Sequence, residues 1–383
     1  MTAGVYLDYA AATPLDPRVA IAMQPYWAED FYNPSSPYLA ARKVKTAVED
    51  ARARVAHWLG ARTAEVVFTA GATESVNIAI HGVMQLFGQA NIIVAPTEHL
   101  AVLESAKRYQ HKLAAVTPDG TVDIAALEKR IDDHTVLISV SYANNEIGTI
   151  QPMTQLGQLV QKIRQRRRLA NNDLPLYVHT DASQAAGYLD LHASRLGVDL
   201  MTLNGGKIYG PKQTGILFVK AGTRLTSPMS GGGQEGGMRS GTENVPGIVG
   251  FATALNLVQT DKKEANAKCS GLRDELQRRL VQALPGTVVN GNLKRRLPNN
   301  LHVSWPGVDG ERLVMQLDEQ GVMAATGSAC AANKQTASHV LQAIGLSDNL
   351  LQGSLRLTLG APTTQADIVR AAEIIIKSVQ SSR

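Results

Sequence analysis

Pro175-Leu176-Tyr177-Val178-His179-Thr180-Asp181-Ala182-Ser183-Gln184 is the stretch on which the fold turns. An apolar run of strand length stops abruptly on an aspartate followed by small and polar residues. A carboxylate at such a place is costly to bury unless a cation or hydrogen bonds meet it. The same pattern recurs on either side. Glu65–Thr69, Asn91–Ala95, Thr135–Val140, Val198–Leu203 and Gly215–Val219 read as further buried strands. Helix-period stretches lie between them, as in Thr154–Leu169, where Leu156, Leu159, Val160 and Ile163 share one face. Strands alternating with helices predict an α/β fold whose mostly parallel sheet is covered on both faces.

In open sheets of this class, ligands gather at the carboxyl ends of the strands. The residues that follow the strands are Thr73, His99, Asn144-Asn145-Glu146, Asp181, Gln184 and the turn Asn204-Gly205-Gly206-Lys207. After about residue 260 the rhythm changes. A polar helical stretch, 261–283, precedes strands near Val288, Leu301–Ser304 and Leu355–Thr358, with helices near 311–320 and 364–379. This reads as a smaller α+β domain.

The chain has 383 residues, enough for about two or three domains, or one large domain with an appendage. With 44% hydrophobic residues it has the material for a core, which excludes a disordered chain. Its two cysteines, Cys269 and Cys330, cannot make a disulfide scaffold or fill a four-ligand zinc site unaided. The first twenty residues carry Asp8 and Asp16 and no continuous apolar core, so no secretory signal is expected. With no long apolar run to span a membrane, a soluble cytoplasmic protein is expected. The net charge of +5 gives little reason to expect nucleic-acid binding. The basic run Lys162–Arg168 reads as a solvated helix end or, alternatively, as a dock for an acidic partner or RNA.

Gly71-Ala72-Thr73-Glu74-Ser75 follows a strand and opens a helix. It is either an ordinary capped start or a phosphate cradle of bare backbone N–H groups. Asp181 is a turn cap or the counter-ion of a protonated pyridine nitrogen. Twenty-six positions on, Lys207 sits in a glycine-rich turn that offers it no packing, which suits a Schiff-base lysine. Read alone, it could equally be a surface lysine. His99, in Thr97-Glu98-His99, is a structural histidine or one that stacks on a flat ring and shuttles protons. Cys330, in Thr326-Gly327-Ser328-Ala329-Cys330-Ala331-Ala332-Asn333, is surrounded by small and polar residues. That setting suits a reactive thiol better than a buried one. Cys269 has no such context and reads as structural.

Together these residues resemble the cysteine desulfurases, pyridoxal-phosphate enzymes of fold type I in the class V aminotransferase group. The resemblance runs from Tyr6-Leu7-Asp8-Tyr9-Ala10-Ala11-Ala12-Thr13-Pro14 to about residue 380. It includes Asn33-Pro34-Ser35-Ser36, Gly71–Ser75, Thr97–His99, Asn144-Asn145-Glu146-Ile147-Gly148, Lys207–Lys212, Gly231–Glu235, Met238–Thr242 and Gly327–Cys330. It implies a large cofactor-binding domain, 15–260, with a mostly parallel seven-stranded sheet. Residues 1–14 and 261–383 would form the small domain that carries the cysteine.

The resemblance also implies roles. Lys207 would hold pyridoxal 5'-phosphate and move the substrate's α-proton. Asp181 would face the pyridine nitrogen, Gln184 the ring hydroxyl and His99 the ring. Ala72, Thr73, Asn204 and Gly206 match phosphate-binding positions, and Thr242 matches one reaching the neighbouring subunit's phosphate, which implies a homodimer. Asn145, Arg356 and Asn33 match substrate positions, with Arg356 the fork for the carboxylate of L-cysteine. Cys330 would take the sulfur as a persulfide while alanine leaves, then pass it to an iron–sulfur scaffold or a thiolation enzyme. The segment after Cys330 resembles the long-loop subgroup, though its wording differs.

Two departures carry expectations. The family's usual Ser-Gly-His-Lys turn reads Asn204-Gly205-Gly206-Lys207, which predicts weaker cofactor retention. The sequence stops at Arg383, where relatives often continue into a scaffold-docking extension, so that docking mode is not expected. Three alternatives stand beside the desulfurase: a selenocysteine lyase, an aminotransferase with the same cofactor, and a cofactor-poor binding subunit.

Overall fold

The computed structural model describes residues 4–327 and 338–382, so Cys330 lies outside the described residues. In chain order the strands are β1 (Val5–Tyr6), β2 (Val66–Thr69), β3 (Asn91–Val94), β4 (Gln110–Leu113), β5 (Thr135–Ser139) and β6 (Tyr177–Asp181). They continue with β7 (Leu200–Asn204), β8 (Gly215–Val219), β9 (Val288–Asn290), β10 (Asn300–Ser304), β11 (Val322–Met323) and β12 (Ser354–Thr358). Seven of them form one sheet in the order β2-β8-β7-β6-β5-β3-β4. Only β8 runs against the rest, pairing antiparallel with β2 and β7.

The apolar runs behave as strands buried on both faces should. Successive residues alternate between two cores. Ile93, Ile138, Val178, Met201 and Ile216 enter one, while Ile92, Leu137, Tyr177, Leu200 and Leu217 enter the other. The helix Leu39–Leu59 covers the first core and ends at Gly60, whose φ of 59° gives the left-handed cap that favours glycine.

Two details depart from the sequence reading. Glu65 closes a short 3-10 turn, Thr63–Glu65, in place of starting β2; its carboxylate accepts the backbone N–H groups of Arg62 and Ala221. β4 has no apolar signal because Gln110-His111-Lys112-Leu113 is a mostly exposed edge strand, where polar and charged residues discourage further pairing.

The basic run is mostly consumed by the fold. Arg167 is buried and donates to the carbonyls of Leu174, Pro175, Asp132 and Thr135. Arg164 pairs with Asp199, while Lys162 and Arg166 pair with Glu128. These arginines fasten the helix Met153–Leu169 to its neighbours.

A third core lies around the antiparallel sheet β12-β10-β9, under the helices Lys262–Ala283 and Gln365–Ser382. It buries Leu276, Leu280, Leu301, Trp305, Leu355, Ile368 and Ile375, together with Val5 and Leu7 from the other end of the chain. Cys269 is buried on its helix, and burial raises its thiol pKa, as suits a small apolar group. No helix among the described residues is long and apolar enough to cross a membrane.

The N-terminal strap joins this third core to the turn after β7. β1 pairs in parallel with β11, Asp8 bridges Thr358, and Thr358 N–H donates to Leu7 O at 2.8 Å. Farther along, Thr13 N–H and its hydroxyl donate to Gly206 O at 3.1 Å. Tyr209 N–H donates to Thr13 Oγ1 at 2.8 Å.

Candidate active site

A cavity of about 250 Å³ opens where the carboxyl ends of β3, β5, β6 and β7 meet the strap and β12. Ala72, Thr73, His99, Asn145, Asp181, Gln184, Asn204, Lys207 and Arg356 all line it.

One wall is the start of the helix Ala72–Met84. Its cap, Gly71, has a φ of 133° and no side-chain cap, so the first N–H groups keep donors for an anion. Gly215 on β8 makes room for this turn. A Cβ there would lie 2.8 Å from Gly71 Cα and 2.7 Å from Leu203 O.

Three strand ends supply the polar floor. His99 caps the helix Leu100–Ala106 by accepting Ala101 N–H on Nδ1 at 3.0 Å, which leaves its proton on Nε2. Burial lowers its pKa, so the ring is neutral near pH 7. Asp181 ends β6 and accepts Ser183 N–H at 2.9 Å. Below it, buried His179 bridges Ser139 Oγ at 2.8 Å and Thr202 Oγ1 at 3.1 Å; burial pushes its pKa down to about 4.

The turn after β7 holds the lysine. Asn204 Oδ1 accepts Gly206 N–H at 2.9 Å, closing the short turn Gly205–Lys207. Gly205 has no room for a side chain, since a Cβ would meet Thr214 Oγ1 at 2.3 Å; at Gly206 the nearest atom is 3.4 Å away. Lys207 Nζ donates to Ala10 O at 2.8 Å and Ala11 O at 2.5 Å on the strap. Gln184 Nε2 also donates to Ala10 O, at 3.0 Å.

Opposite the lysine, Arg356 reaches in from β12 with its side chain only 1% exposed. Nη2 donates to Asp8 Oδ1 at 2.6 Å, Nη1 donates to Asn145 O at 3.4 Å, and Nε is buried with no protein acceptor among the described residues.

The aminotransferase class-V family pattern matches residues 5–370. The cysteine desulfurase IscS of Clostridium botulinum is 39% identical over 392 aligned positions, covering 100% of this chain and 96% of that protein. The chain belongs to the cysteine desulfurases of the class-V aminotransferase family. A solved NifS-like protein superposes with a TM-score of 0.91 at 33% identity, covering 99% of this chain and 100% of that one. A structure of SspA in complex with cysteine gives 0.80 at 30% identity, covering 94% and 99%.

The cofactor of this desulfurase family is pyridoxal 5'-phosphate, and the residues present fit it. The open helix start suits a phosphate, Asp181 suits a protonated ring nitrogen, and an amine stands in the same cavity.

Three expected residues do not line this cavity. Gly206 stands between two that do, with its N–H donated to Asn204 Oδ1 and its carbonyl accepting the Thr13 hydroxyl. Asn33 is exposed and accepts Ser35 N–H at 2.9 Å, and Thr242 is exposed. Sequence reasoning also left three acids without a role. Asp8 pairs with Arg356. Glu98 is buried beside His99 and pushed up to about 8, chiefly by burial. Glu146 is buried and pushed up to about 7, again chiefly by burial, while its Oε1 accepts Ser338 Oγ–H at 2.5 Å. The available signal was the chemistry of the positions, because each acid stands in a motif otherwise made of apolar, small or neutral polar residues.

Proposed function

We propose that the chain converts L-cysteine to L-alanine and passes the sulfur to the thiol of Cys330 as a persulfide. The observation that carries this reading is the convergence of Lys207, Asp181, His99, the helix start at Ala72–Thr73 and Arg356 on one cavity. The overall change balances: the substrate C–S bond breaks, an S–S bond to Cys330 forms, and the former thiol carbon ends as a methyl group.

Pyridoxal phosphate, when bound, supplies an electrophilic carbon and an electron sink. The protein's residues divide the remaining work. The N–H groups of Ala72 and Thr73, with the side chain of Asn204, would hold the phosphate, while Gly206 shapes the turn by giving its N–H to Asn204 Oδ1. Asp181 would keep a proton on the ring nitrogen, Gln184 would serve the ring hydroxyl, and neutral His99 would face the ring with its Nε2–H available. Lys207 Nζ holds and moves the substrate's α-proton, and the Ala10 and Ala11 carbonyls stabilise its charged form. Arg356 and Asn145 take the substrate carboxylate.

A homodimer belongs to the same reading. Ile21, Trp27 and Phe31 are 69%, 65% and 66% exposed, an apolar surface suited to burial against a second copy. Thr242 would then reach the partner's phosphate, and Asn33 would meet substrate. The same reading divides the chain into a large unit, 15–260, and a small unit, 1–14 with 261–383; the separate core around β9, β10 and β12 supports it. Persulfide sulfur goes on to an iron–sulfur scaffold or a thiolation enzyme, in a cytoplasm that keeps the Cys330 thiol reduced.

The test is to incubate purified protein with L-cysteine and pyridoxal phosphate and measure alanine and sulfide, alongside Cys330→Ala and Lys207→Ala. Wild type forms alanine and both variants fail. Alanine formation at the wild-type rate by Cys330→Ala overturns the persulfide route.

A further inference from the structure

We infer that Asp8 is a positioning residue that sets the enzyme's selectivity for substrates bearing an α-carboxylate. The inference rests on the proposed role of Arg356 and adds a second residue to it.

Arg356 is a buried cation with few acceptors. Its firm contact is a single oxygen of Asp8 on Nη2 at 2.6 Å, while Nη1 has only Asn145 O at 3.4 Å and Nε has no protein acceptor among the described residues. A guanidinium offers five N–H donors in a fixed plane. Asp8 therefore neutralises the charge and fixes the plane, yet leaves donors for a second carboxylate.

Asp8 can do this because its backbone is held. Tyr6 Oη–H donates to Asp8 O at 2.9 Å, and Ala10 N–H donates to Thr358 Oγ1 at 2.9 Å, two residues along β12 from Arg356. The same short segment ends at the Ala10 and Ala11 carbonyls that receive Lys207 Nζ. The strap thereby fixes the distance between the carboxylate fork and the lysine amine, the two groups that an α-amino acid must satisfy at once.

The experiment compares holoenzyme of wild type, Asp8→Ala and Asp8→Asn. It reads KM and kcat for L-cysteine, and calorimetric binding of L-alanine against ethylamine, which lacks the carboxylate. Asp8→Ala raises KM for L-cysteine about tenfold or more and weakens L-alanine by a similar factor, with kcat within about threefold and ethylamine unchanged. Asp8→Asn retains an acceptor for Nη2 and shifts both in the same direction by about two- to fivefold. Equal weakening of L-alanine and ethylamine, no effect on either, or tighter L-alanine binding overturns the inference. If wild type forms no alanine from L-cysteine, the proposed function fails separately, and the two binding measurements still decide the role of Asp8.

Discussion

Glu98 Oε1 accepts the backbone N–H of Ser141 at 2.6 Å, tying the segment after β3 to the segment after β5 directly beneath the active-site cavity. Its other oxygen, Oε2, is buried with no protein partner among the described residues. Burial, more than any neighbour, pushes this carboxyl up to about 8, and Glu146 follows at about 7.

Those two acids give stability a defined pH dependence. Each holds a proton in the folded state that the unfolded chain releases above about pH 4.3. Their contribution is full below that value and is lost as pH rises through about 7 and about 8. The slope is up to about 1.4 kcal/mol per pH unit for each proton. His179 and His302, pushed down to about 4 and about 3, act oppositely and cost stability as pH falls below about 6.5. Urea unfolding of wild type near about pH 6 and about pH 8.5 should show the alkaline loss, and Glu98→Gln should reduce it. An identical loss in Glu98→Gln would rule out Glu98 as its source.

Gly206→His should strengthen cofactor retention. The backbone there accepts a side chain, since the nearest atoms to a new Cβ are Asn204 Oδ1 at 3.4 Å and Lys212 Cγ at 3.7 Å. An imidazole there, between Asn204 and Lys207 of the cavity wall, would add a ring contact or a hydrogen bond to the cofactor. The variant is expected to keep its yellow absorbance about two- to tenfold longer during dialysis. Faster bleaching than wild type would contradict this.

Gly215→Ala should damage the phosphate cradle from behind. Its methyl group would press on Leu203 O and on Gly71, whose turn opens the helix Ala72–Met84. Overpacking of this kind costs about 1–3 kcal/mol. The expected signature is weaker binding of pyridoxal phosphate, read by titration of the apoprotein, together with a lower melting temperature. Wild-type values for both would mean that the strand yields at no cost.

Replacing Trp27 and Phe31 with glutamate should split the proposed dimer. Both side chains are about two-thirds exposed on the single chain. Sedimentation velocity should find wild type at twice the monomer mass and the double variant at the monomer mass. If the double variant keeps the dimer mass, the second copy sits elsewhere.

Much of this was legible in the sequence because strand-end chemistry is local. The run from Tyr177 to Asp181 forms a strand and ends on an acid whatever lies elsewhere, and the Asn204–Lys207 turn announces itself by its glycines. β4 was illegible because an edge strand at the surface needs no apolar alternation. The roles of Asp8, Glu98 and Glu146 were hidden for another reason. Each depends on a partner far along the chain, and no spacing rule relates Asp8 to Arg356 or Glu146 to Ser338. Asn33 and Thr242 reverse that case, since a single chain leaves both away from the cavity to which their motifs assign them.

The strap also fixes an order of events during synthesis. Residues from Val5 to Ala10 are made before the sheet of Lys207, yet they have partners on β11 and β12, which are made after it. The sheet that carries Lys207 can be complete while its anchoring segment still waits for Arg356. Translation must therefore pass β12 before the carboxylate fork exists, and a nascent chain halted near residue 320 would present the lysine without the means to select its substrate.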